Sequence, residues 1–144
     1  MAIPSRFKSV ANVRAYPIPS NSFTWVENGK PYTSETAVVL FDTGPTGKSA
    51  WILAATYGKV GDSEYRELVI YIYADDEGKP IIDITYKPGS DELSTFWYYR
   101  GSDTGFEGDY TVTLTLTPVP FNVKADFHHT LPEVSVTEGK LRAG

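Results

Sequence analysis

Few residues in this chain have both the type and the spacing to do chemistry. The densest set is Asp42-Thr43-Gly44-Pro45-Thr46-Gly47-Lys48-Ser49, which follows the apolar run Ala37–Phe41. Gly47, Lys48 and Ser49 fit the end of the phosphate-cradling pattern G-x-x-x-x-G-K-[ST], where backbone N–H groups and a lysine hold an anion at a helix N-terminus. Asp42 occupies the first glycine position. A carboxylate ~4 Å from a phosphate oxygen costs about 4 kcal/mol at an effective dielectric of about 20. The segment that would have to open the helix, Ala50–Tyr57, is short, meets Gly58 and reads as a strand, so a solvated turn is expected here. His128 and His129 are the only histidines. Neighbours on a strand face opposite ways, so at most one of them can join Asp126, which leaves too few nitrogen ligands for zinc. Asp75-Asp76-Glu77-Gly78 and the stretch from Asp103 to Asp109 gather oxygen ligands of the kind calcium takes, but without the D-x-[DN]-x-[DN]-G spacing. No metal and no cofactor is expected.

The same loop supports a second chemistry. Phe41-Asp42-Thr43-Gly44 resembles the catalytic tripeptide of aspartic proteases. The resemblance covers these four residues and the apolar run before them. It implies a retropepsin-like homodimer in which two copies of Asp42 share a proton across a two-fold axis. Pro45 stands where that family has a small residue, and neither a downstream apolar-apolar-glycine partner nor a glycine-rich flap hairpin is present. The alternative is an ordinary turn begun by Asp42.

These residues must be positioned by strands. Thr111-Val112-Thr113-Leu114-Thr115-Leu116-Thr117 alternates hydroxyl and apolar side chains, which places Val112, Leu114 and Leu116 in a core and the threonines outside it. Similar runs are expected at Val10–Tyr16, Ala37–Phe41, Ala50–Tyr57, Tyr65–Ala74, Ile81–Tyr86, Leu93–Arg100 and Phe121–Phe127. Phe23 and Trp25 lead into Asn28-Gly29, a dipeptide suited to a type I′ hairpin, and Pro31 puts that hairpin at an edge. No window carries a helical stripe. About nine short strands at this spacing predict an all-β fold, a two-sheet antiparallel β-sandwich of Ig-like or jelly-roll type. Residues 1–9 and 128–144 are expected to be extended arms around a sandwich at 10–127, the second because Pro118, Pro120 and Pro132 punctuate a segment that turns polar.

With 144 residues, the chain can bury a self-sufficient core, and it needs no disulfide, having no cysteine. A formal net charge of −5 argues against a general grip on phosphate backbones, so nucleic acid is not an expected partner. No apolar stretch has the ~20 residues of a membrane span, and the N-terminus lacks the apolar core of a signal peptide. A soluble chain without classical export, made in the cytoplasm, is the expectation.

What remains is a high aromatic load of 10 Tyr, 3 Trp and 7 Phe. Leu68, Ile70 and Ile72 take one parity of their strand, while Tyr65, Val69, Tyr71 and Tyr73 take the other; Thr95, Trp97 and Tyr99 alternate with Phe96 and Tyr98. If the aliphatic parity is core, Tyr65, Tyr71, Tyr73, Trp97 and Tyr99 form an exposed contact row; the alternative is that both faces are buried, the second against a loop or a neighbouring chain. The expected function is therefore a non-enzymatic structural or interaction domain that self-associates or docks on a larger assembly, in its most concrete form a decoration or tail protein of a virus particle. A carbohydrate-binding module stacking sugars on the same row is the alternative. An aspartic protease subunit centred on Asp42 is the remote one.

Overall fold

The computed structural model describes residues 14–43, 47–89, 94–101, 108–131 and 133–144. Every regular element in it is a strand: β1 Arg14–Tyr16, β2 Phe23–Glu27, β3 Lys30–Thr33, β4 Thr36–Thr43, β5 Ser49–Tyr57, β6 Arg66–Tyr73, β7 Ile81–Tyr86, β8 Ser94–Arg100, β9 Asp109–Pro118, β10 Phe121–Thr130 and β11 Ser135–Ala143. They form two antiparallel sheets, one of five strands in the order β1-β4-β5-β6-β8 and one of six in the order β3-β2-β11-β10-β9-β7. The fold is the expected all-β sandwich. Ala50–Tyr57 is a strand, as its composition predicts.

Period-two patterning sets the inner faces. Val112, Leu114 and Leu116 are fully buried, while Thr111, Thr113 and Thr115 point outward and are only partly covered. Leu68, Ile70 and Ile72 of β6 meet them from the other sheet in one continuous core. The sheets pack face to face: β8 reaches β9 and β10 with Phe96, whose ring lies 5.8 Å from Tyr110 and 5.6 Å from Phe127, and reaches β2 with Tyr98, 6.5 Å from Trp25. The hairpin at Asn28-Gly29 takes φ values of +48° and +85°, as a type I′ turn requires, and β3 with Pro31 is the sheet edge.

One expectation changes. The stretch 128–144 is not an arm: its first residues complete β10, and β11 lies inside the six-stranded sheet, hydrogen-bonded to β10 on one side and β2 on the other. Leu131, Val134, Val136 and Leu141 supply core. The N-terminal arm at 1–9, like the start of the first expected strand, lies outside the described residues.

Candidate functional site

The five aromatic residues singled out above occupy one surface. In β6 and β8 the parity that contains Tyr71, Tyr73, Trp97 and Tyr99 faces away from the inter-sheet core, and Tyr65, just ahead of β6, donates its hydroxyl to Glu67 in the same parity. This outer face differs from the usual one. An antiparallel sheet with a solvated side carries polar residues there, as the six-stranded sheet does with its threonines and charges. The five-stranded sheet instead presents Val38 and Leu40 from β4, Ala50, Ile52 and Ala54 from β5 and Val69 from β6, none more than 2% exposed. It carries a second apolar cluster, with Ala15, Tyr71 and Tyr99 packed against it.

The expected exposure of the row holds for part of it. Tyr65 and Tyr73 are buried at 4% and 8%, a correction whose cause is their place at the ends of β6, where Tyr65 bonds Glu67 and Tyr73 approaches Thr95 at 3.3 Å. Tyr71, Trp97 and Tyr99 are half-buried and form the rim of the cluster. The Trp97 and Tyr99 rings are 6.4 Å apart and tilted by only 20°, so they offer one broad surface. Glu67 is fully buried on this face, opposite Thr56 and Tyr99 in register.

Asp42 lies on the same outer face, as the seventh residue of β4, paired with Ala50 rather than starting the turn. Gly47, Lys48 and Ser49 lead into β5. The phosphate-loop arrangement therefore has no helix N-terminus to complete it. His128 and His129 face opposite ways, as predicted: His128 is exposed, and His129 is fully buried. The His129 ring stacks on Phe96 at 4.4 Å, and its Nε2 accepts the Gly108 N–H at 3.0 Å. Burial pushes its pKa down to about 4, only partly opposed by the charge of Asp109, so the ring is neutral near pH 7. In the first acidic loop Asp76 caps the Gly78 N–H at 2.8 Å and Glu77 accepts from Tyr16. Residues 103–107 of the second lie outside the described part, and no cluster of metal-binding side chains occurs among the described residues.

One polar group escapes sequence reasoning. Glu27, at the end of β2, is 5% exposed and reaches across to the five-stranded sheet. Its Oε1 accepts from Arg66 Nε and from the Tyr98 hydroxyl, both at 2.7 Å, and Trp25 Nε1 donates to the same hydroxyl at 2.9 Å. Arg100 stands 3.5 Å from Oε2. Burial alone would raise the Glu27 pKa, but the Arg66 and Tyr98 hydrogen bonds and the two guanidinium charges outweigh it and hold the carboxyl below its ordinary value. Burial, then the neighbouring carboxylate, raises Tyr98 far above the usual phenol range. General acid–base work at neutral pH needs the opposite trends, with values drawn toward 7. The cluster holds fixed charges and ties the sheets together. Glu27 sits beside Asn28-Gly29, where a charged residue ordinarily reads as solvated.

Comparison of the chain with family models, with curated proteins and with solved structures finds no match.

Proposed function

We propose that this chain is a non-catalytic interaction domain that self-associates through the outer face of its five-stranded sheet. The same face would serve a larger assembly, a virus particle being the concrete case. The observation that carries this reading is the half-buried aromatic rim of Tyr71, Trp97 and Tyr99, which borders a second apolar cluster that the chain itself already buries. Partly exposed aromatic side chains on one face contribute large contact area at low entropy cost. Sugar stacking on the row is the weaker reading, since the Tyr65 and Tyr73 rings are already buried.

Tryptophan emission tests it directly. Trp25 and Trp51 are buried at 1% and 0%, so iodide quenching reports on Trp97. Quenching should fall as protein concentration rises and Trp97 becomes covered. Quenching independent of concentration would overturn the reading.

A further inference from the structure

The outer face of the opposite, six-stranded sheet carries a groove of about 550 Å³, within the range of roughly 300–1,000 Å³ typical of ligand sites. Its origin is one extra residue in β11. Phe127 pairs with Gly139 and His129 with Val136, while on the other side Thr137 pairs with Val26 and Lys140 with Thr24, so both neighbours see the same bulge. Glu138 sits in it at φ +51°, a left-handed conformation that a non-glycine side chain adopts at a cost of about 1–2 kcal/mol. Gly139 follows because a Cβ there would lie 2.3 Å from the Phe127 ring. Bulges inside a sheet re-aim side chains, and they concentrate beside binding sites.

The groove alternates acceptors and donors. Asp126 projects from β10 with Lys140 directly opposite it in register, and Arg142 Nη2 donates to its Oδ1 at 2.7 Å. Glu138, His128 and Thr137 stand further along, and Thr111 and Thr113 supply hydroxyls from β9. The side chains of Lys140, His128 and Glu138 make no hydrogen bond or ion pair among the described residues. Besides His128, two cations, Lys140 and Arg142, face two carboxylates, Asp126 and Glu138. That balance opposes a polyanion or a polycation equally, and an apolar ligand would desolvate the charged ends of Lys140 and Glu138 without pairing them. A neutral molecule carrying many hydroxyls matches it, because each hydroxyl donates to a carboxylate and accepts from a cation or threonine.

We infer that this groove binds a saccharide, on the sheet opposite the proposed association face and independently of it. The test is a titration of the isotope-labelled full chain with glucose, galactose, mannose, N-acetylglucosamine, maltose and cellobiose, followed by amide NMR. At least one sugar should produce saturable shifts centred on Thr111, Thr137, Glu138 and Lys140. Glu138→Gly keeps the backbone conformation without strain, so it should melt no lower than wild type, yet bind about tenfold or more weakly through loss of a charged acceptor. Absence of saturable shifts at these amides with all six sugars overturns the inference. So does undiminished binding by Glu138→Gly, or a shift pattern centred on Tyr71, Trp97 and Tyr99.

Discussion

Two buried polar residues show how far single side chains are legible before a fold is known. Alternation along β10 separates His128 from His129, and the structure puts them on opposite faces. Which of the two is buried follows from the same alternation, since His129 shares the parity of Val123, Ala125 and Phe127; only its partners, Phe96 and Gly108, depend on the rest of the fold. The buried one carries a pH signature. The folded His129 pKa of about 4 lies below its ordinary 6.5, so between these values the unfolded chain binds more protons than the folded one, and stability rises with pH. Its contribution is complete above about pH 6.5 and is lost as pH falls toward about 4, by roughly 3 kcal/mol. Urea unfolding at a series of pH values should show that loss, and His129→Gln should flatten it between pH about 6.5 and 4.5. Equal slopes for the two proteins would contradict the assignment. Glu27 contributes with the same sign but in a lower window, because its folded pKa lies below 4.5.

At the scale of elements, strands with an unbroken period of two are readable, and those that break it are not. β9 is recovered from its threonines alone. β11 is not, because the extra residue at Glu138 shifts the phase: Val136 faces inward, and so does Leu141 five residues later, where strict alternation would put one of them outside. The bulge that hides the strand also forms the groove. Since β11 is paired on both sides and supplies Val136 and Leu141 to the core, deleting residues 135–144 should abolish cooperative unfolding, as read by circular dichroism and heat capacity. A truncated chain that still melts cooperatively would show that this segment is an accessory arm. The Glu27 network has a similar dependence on two elements, joining β2 to β6 and β8. Breaking such a buried pair from one side typically costs about 3–5 kcal/mol.

For the whole molecule, the two outer faces differ in chemical character. The six-stranded sheet shows water a polar face of threonines and charges with a groove at its bulge. The five-stranded sheet shows a covered apolar face with an aromatic rim. Parity alone grouped Tyr65, Tyr71, Tyr73, Trp97 and Tyr99 correctly, but the burial of two of them follows from three-dimensional packing. Light scattering on the intact protein tests the central claim most directly. The wild-type chain should show a mass that is a multiple of 15.9 kDa and falls toward that value on dilution, whereas a folded Trp97→Ala/Tyr99→Ala variant should remain at 15.9 kDa. A wild-type mass of 15.9 kDa at every concentration, or a variant that associates as strongly as wild type, would contradict it.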